Sequence, residues 1–286
     1  MRSTKRVIGA IGVWGAIALS EPGCGEKKTE ENHPAPSRTT TPSATTYEPL
    51  KAGTMQIAGV AVEVMLPEGE ASGNILLLPG WGFSRLDWCQ KTDFCVRATA
   101  AGYRIFAPEM GKSIYASQPY PETRRDWRGY PTRKWVTDTL IPKLQKHGAF
   151  LPGAKNAAVG LSTGARGAVL IAQDLPEIFS HVAALSGDYN PAAVPQDNLM
   201  LGFYGPADQF PERRHGRDNP SERPLKAKCF LGHGEADRVV PASETRNFYE
   251  KIKSPDVRLH IIPGAGHTYE YWGGQTGAIL AFLNGT

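Results

Sequence analysis

Ala157-Ala158-Val159-Gly160-Leu161-Ser162-Thr163-Gly164-Ala165-Arg166-Gly167-Ala168 is the most informative run of this 286-residue chain. A short apolar stretch meets Gly-x-Ser-x-Gly and passes directly into a helix-like segment at residues 165–173. A serine on so tight a strand-to-helix turn has its hydroxyl exposed, which is the layout of a nucleophile elbow. Glycines at 160 and 164 suit it, because the turn is strained and neighbouring backbones come too close for a β-carbon. The pentapeptide alone arises by chance in about one chain in six of this glycine and serine content, so its flanks must support it.

Outward from that run, the apolar pattern alternates between strand and helix. Residues 53–67 read as two short strands with a turn near Gly59, and 74–79 (Asn-Ile-Leu-Leu-Leu-Pro) as a fully buried central strand. A helix is expected over 86–101 and a strand over 103–108. Residues 109–134 have no clean period and read as a long loop. A helix follows over 135–147, with Pro142 expected to kink or end part of it. After the elbow come a strand at 181–186, a second irregular insertion at 188–224, a strand at 227–232 and a helix at 243–252. A strand at 257–262 and a helix at 272–283 close the chain. Such alternation implies an α/β fold, a mostly parallel central sheet with helices on both faces, binding ligands at the C-terminal ends of its strands.

Composition permits one large domain: 41% hydrophobic and 21% charged residues, with a formal net charge of +4. Residues 1–23 read as an export signal, with Arg2, Lys5 and Arg6 ahead of an apolar run from Val7 to Leu19 that is too short to span a bilayer. Without them the charge is about +2, which gives no mandate for nucleic acid or anionic membrane. Ala18-Leu19-Ser20 suits an ordinary signal peptidase. Gly23-Cys24 instead resembles a bacterial lipoprotein site, in which Cys24 would carry a lipid anchor. Both outcomes export the protein to the periplasm or beyond. Residues 24–49 are rich in Pro, Ser and Thr and read as a flexible linker, favouring the tethered form. Residues 50–286 remain as the catalytic domain. An exported chain permits a disulfide between Cys89 and Cys95, although their spacing needs a local bend; Cys229 reads as a buried thiol.

A serine hydroxyl is a poor nucleophile until a base takes its proton, and that base needs an acid to hold its tautomer. In this fold class the acid and then the base follow the serine. The strand at 227–232 runs into Gly232-His233-Gly234-Glu235-Ala236-Asp237, and the strand at 257–262 runs into Pro263-Gly264-Ala265-Gly266-His267. Ser162, Asp237 and His267 are therefore the candidate nucleophile, acid and base. Asp188 and Glu235 are rival acids, and His233 is expected either to line the pocket or, as is usual in a strand-to-loop turn, to be satisfied by backbone. Two donors must face the oxyanion. The backbone N–H groups of Thr163 and of Trp81, in the turn Pro79-Gly80-Trp81-Gly82, are the candidates, with Gly82 second. No phosphate loop or metal-ligand motif is present, so no cofactor and no metal are expected.

Residues 160–168, with Pro176-Glu177-Ile178-Phe179 and Ala184-Leu185-Ser186-Gly187, resemble the esterase D group of the α/β-hydrolase superfamily. That group includes S-formylglutathione hydrolases, feruloyl and acetyl esterases and mycolyltransferases. Trp135 with Leu140-Ile141-Pro142 is similar to the helix before its elbow, and Gly266-His267 with Tyr271-Trp272 to its C-terminal motif. Thr163 and Ala165 stand where Met and Gly are common there, and Pro79-Gly80 replaces His-Gly. The runs 237–241 and 263–267 resemble dienelactone hydrolases and prolyl-oligopeptidase-type peptidases equally well, so the subfamily stays open. The resemblance covers residues 74–283 and implies an α/β-hydrolase acting on small or polymer-linked esters, with Ser162, Asp237 and His267 as its triad. An acyltransferase, an S9-like peptidase and a non-catalytic surface binding module are the alternatives. Aromatic and arginine side chains of the two insertions are expected either to line the substrate pocket or to pack beneath a solvated loop.

Overall fold

The computed structural model describes residues 47–286. The expected export signal, Cys24 and the expected linker up to residue 46 lie outside the described residues. Among the described residues, no helix is long and apolar enough to cross a membrane.

Eight strands form one sheet in the order β1-β2-β4-β3-β5-β6-β7-β8. They are β1 (Gly53–Ile57), β2 (Val60–Met65), β3 (Gly73–Leu78), β4 (Tyr103–Pro108), β5 (Asn156–Leu161), β6 (His181–Leu185), β7 (Lys228–Gly234) and β8 (Val257–Ile262). β2 runs antiparallel to both β1 and β4, and every other pairing is parallel. The central strands β3 and β5 are buried along their whole length, as their unbroken apolar runs require.

Side chains alternate between two cores because the strand period is two. Ile75, Leu77, Val159, Leu161, Leu185 and Phe230 enter one core. Leu76, Leu78, Ala158, Ala184 and Leu231 enter the other. The first is covered by α1 (Asp87–Lys91), α2 (Phe94–Ala100), α8 (Tyr269–Gly274) and α9 (Thr276–Asn284). The second is covered by α3 (Arg133–Trp135), α4 (Ile141–Gln145), α5 (Thr163–Asp174) and α7 (Ala242–Ile252). The expected α/β-hydrolase architecture is thus the observed one.

Four local expectations need correction. The helix over 86–101 is two helices, because Thr92 is extended (φ −141°, ψ 169°) between α1 and α2. That bend brings Cys89 and Cys95 into a disulfide with their Cα atoms 5.1 Å apart. The second insertion is not wholly irregular: α6 (Asn198–Tyr204) sits inside it, capped by Asp197, whose side chain accepts from the Leu199 and Met200 amides. β7 continues two residues past 232, and the closing helix breaks at Gln275 and starts earlier, at Tyr269. Ahead of β1, the Glu48 amide donates to Lys146 O at 3.2 Å.

The two insertions form a third apolar cluster of Ile114, Ala116, Trp127, Met200, Phe203 and Tyr204, with Trp81 against it. Their arginines are largely spoken for. Arg213 lies 3.6 Å from the Phe210 ring centroid and pairs with Glu122, and Arg214 is buried against the carbonyls of Gly205 and Phe210. The packed alternative is therefore the observed one for most of these side chains.

Candidate active site

Ser162 ends β5 and begins α5 at φ 55° and ψ −127°, a backbone conformation that residues other than glycine rarely adopt. Two glycines make room for it. A β-carbon on Gly160 would stand 2.1 Å from Gly164 O, and one on Gly164 would stand 2.4 Å from Leu78 O. The Ser162 amide is anchored to β6 by donating to Leu185 O at 2.8 Å. Ser162 Oγ itself has no hydrogen-bond partner among the described residues.

The candidate acid and base arrive on two loops that are tied together. β7 and β8 pair through Gly234 and Ile262. Beyond them the Glu235 amide donates to Ile262 O at 2.9 Å and the Ala236 amide to Ala265 O at 2.8 Å. Gly234 is obligatory there, since a β-carbon would meet Ala265 O at 2.4 Å. The result places His267 Nδ1 2.7 Å from Asp237 Oδ2, with the carboxylate side chain wholly buried. Asp237 Oδ1 accepts from the Val239 and Val240 amides at 2.8 and 2.9 Å. Burial alone would raise the Asp237 carboxyl, but donors on His233, His267, Val240 and Val239 outweigh it and hold the group far below the usual carboxylate range.

Both rival acids are engaged elsewhere. Asp188 pairs with the buried Arg166 at 2.5 Å, and Glu235 pairs with Arg246 at 2.8 Å. Two side chains named in the sequence make contacts that it did not predict. Trp272 meets the His267 ring edge-on at 5.0 Å and donates Nε1–H to Ser186 Oγ at 3.1 Å. His233 lies 3.3 Å from Asp237 Oδ2. The fourfold spacing from His233 to Asp237 was visible, but it carries no meaning outside a helix until the turn after β7 is known.

Among the candidate oxyanion donors, the Gly82 amide already donates to Gly111 O at 2.8 Å. The amides of Trp81 and Thr163 donate to no protein group among the described residues, Thr163 being the first residue of α5. Tyr115 Oη steadies the 79–82 turn by donating to Pro79 O at 2.8 Å. Trp81 packs edge-on against Trp127 with centroids 5.3 Å apart, so its ring belongs to the third cluster.

A cavity of about 130 Å³ opens beside Ser162 and Thr163. Its apolar wall is Val194, Leu199, Met200, Val239, Val240 and Pro241, and Asp188, Asp197 and Glu244 also line it. Only the second insertion contributes; none of the first insertion's aromatics reaches this cavity. Among the described residues no group of three or more His, Cys, Asp or Glu side chains is placed to hold a metal ion.

The Esterase family, described as "Putative esterase", matches residues 60–283. Diacylglycerol acyltransferase/mycolyltransferase Ag85B of Mycobacterium avium is 25% identical over 223 residues, 65% of this chain and 66% of that protein. The chain spans under two thirds of the length of the curated relatives it matches. An S-formylglutathione hydrolase from Agrobacterium tumefaciens superposes with a TM-score of 0.63 at 18% identity, over 78% of this chain and 88% of that one. FphF of Staphylococcus aureus, a fluorophosphonate-binding serine hydrolase, superposes with a TM-score of 0.62 at 15% identity, over 78% of this chain and 91% of that one. These structural likenesses speak to fold. A family match that begins in β2 and ends in α9 takes in every strand that carries the site, and on it the chain belongs to the Esterase family of enzymes.

Proposed function

We propose that the protein is an exported serine esterase that cleaves carboxylic esters through an acyl-enzyme on Ser162. The observation that carries this is the buried Asp237 carboxylate 2.7 Å from His267 Nδ1, at strand ends beside a serine on a positive-φ elbow. His267 Nε2 takes the Ser162 proton as Oγ attacks the ester carbonyl carbon. The amides of Thr163 and Trp81 receive the oxyanion. Collapse expels the alcohol, which takes the proton back from His267, and water then repeats the sequence to release the acid. The free Ser162 hydroxyl fits a site whose serine–histidine bond tightens only when substrate is present.

The catalytic domain corresponds to residues 50–286, preceded by the export signal at 1–23 and the linker at 24–49, with Cys24 as the lipid-anchor position. The likeness to Ag85B, named an acyltransferase, favours one second reading: an acceptor alcohol replaces water in the last step. Labelling with a fluorophosphonate probe tests the core of the proposal. Wild type is expected to label and to hydrolyse p-nitrophenyl acetate, while Ser162→Ala does neither, with kcat at least ~10³-fold lower. Folded wild-type protein that fails to label, or a Ser162→Ala variant that labels equally, overturns it.

A further inference from the structure

Asp237 is bordered by two imidazoles, and serine chemistry needs only one of them. His233, the penultimate residue of β7, is wholly buried, with Nε2 2.9 Å from Val240 O and 3.3 Å from Asp237 Oδ2. Both neighbours are acceptors, so Nε2 carries the proton and the tautomer is set. On the other side of the ring, Nδ1 lies 2.7 Å from Oγ1 of Thr245, a buried residue of α7.

We propose that His233 is a positioning residue for the triad acid, clamping the Asp237 carboxylate and its turn so that Oδ2 presents one fixed face to His267. This rests on the esterase reading given above. A histidine serving only to satisfy backbone would need Val240 O alone. Here the same N–H also stands beside the carboxylate oxygen that His267 uses. With the Val239 and Val240 amides on Oδ1, a donor faces each of the roughly four acceptor positions of the carboxylate. Val240 is held through both its N–H and its C=O, so the turn from 237 to 240 is closed by β7 on one side and by the acid on the other.

The consequence for chemistry follows from sharing. A donor near Oδ2 lowers the oxygen's basicity, so it draws less on the His267 Nδ1 proton. Removing the His233 donor leaves Oδ2 to His267 alone and strengthens that pull, which the pH profile of turnover reads. The other titratable groups facing this pair are Tyr271 on α8, Glu244 on α7 and Asp188 after β6. All three persist in the variants below.

The test compares full-length wild type with His233→Leu, His233→Gln and Thr245→Val on p-nitrophenyl acetate from pH 5 to 9, with active sites counted by fluorophosphonate titration. In His233→Leu we expect kcat to fall about tenfold with KM within about twofold. The acid limb of kcat/KM should move up by about half a pH unit. His233→Gln, whose amide N–H reaches the same acceptors, recovers most of both. Thr245→Val, which frees the ring's far side, shifts the limb in the same direction by less. A folded His233→Leu with wild-type kcat and limb overturns the proposal. Should that variant not fold, an unshifted Thr245→Val does so. The downfield proton resonance of His267 Nδ1 reads the same bond without turnover: it moves in His233→Leu and stays in His233→Gln, and a resonance that stays in both defeats the clamp. Wild type inactive on every ester defeats the esterase reading instead, and the resonance still decides the clamp.

Discussion

At Ser162 the chain holds a backbone conformation that costs on the order of 1–3 kcal/mol, and it does so only because its surroundings leave no alternative. The amide is bonded to β6, and Gly160 and Gly164 let the strand end and the helix start pass within contact of β3. A second tension lies across the cavity. Burial, and then the neighbouring Asp188 carboxylate, raise the Glu244 carboxyl above its ordinary value, while its bond from the Tyr189 amide lowers it. A group whose folded value is raised contributes stability that is fully present below its unfolded pKa, about 4.3, and lost as pH rises through the folded value. Glu244→Gln keeps the acceptor for Tyr189 and removes the charge. It should therefore be more stable than wild type at pH 7.5, with the advantage shrinking towards pH 4. Urea denaturation at both pH values measures this, and an advantage that grows on acidification sinks it. Ser162, Asp237 and His267 were legible as residues because each stands where an apolar strand ends. His233 was not, because its contact with Asp237 exists only once the turn has folded.

Among the elements, those that were misjudged share a cause: a local feature interrupts a pattern that composition continues. Pro142 has no N–H to offer Asp138 O, and its ring crowds that carbonyl. The helix answers by widening into a π turn at Val136–Leu140 and resuming as α4. The kink was foreseeable, whereas its form was not. α6 is short and holds a glycine at 202, so its period is weak; the Asp197 cap was the usable signal. Between α1 and α2 the break at Thr92 is held shut by Cys89–Cys95, across a sequence separation of 6. Closing so short a loop constrains the unfolded chain by about 2 kcal/mol. Replacing both cysteines by alanine should lower Tm by roughly 4–8 °C and leave ester hydrolysis at 25 °C unchanged, because neither residue lines the cavity. Calorimetry with matched kinetics checks it, and an unchanged Tm would show that packing of Trp88 and Phe94 holds the bend unaided.

Across the whole molecule, the sheet order puts β6 alone between β5 and the neighbouring pair β7 and β8, so Ser162 and Asp237, 75 positions apart in sequence, come to the same edge of the sheet. That much follows from alternating strands and helices. The cavity's walls do not, since they come from α6, the 239–241 turn and the start of α7, segments whose meeting depends on how the second insertion packs over the sheet. Its volume is about 130 Å³. Liquid water occupies about 30 Å³ per molecule, so the space admits about four heavy-atom groups. Placing the acyl chain there, acetate and butyrate esters should be hydrolysed faster than octanoate, by about tenfold in kcat/KM. Leu199 is half-buried on the apolar wall and belongs to α6 rather than to the sheet. Leu199→Ala should enlarge the cavity without disturbing Ser162, Asp237 or His267, raising kcat/KM for octanoate several-fold relative to butyrate. Kinetics on p-nitrophenyl esters of increasing chain length decide this. If Leu199→Ala keeps the wild-type ratio, the acyl chain lies elsewhere and this cavity receives the alcohol side of the ester.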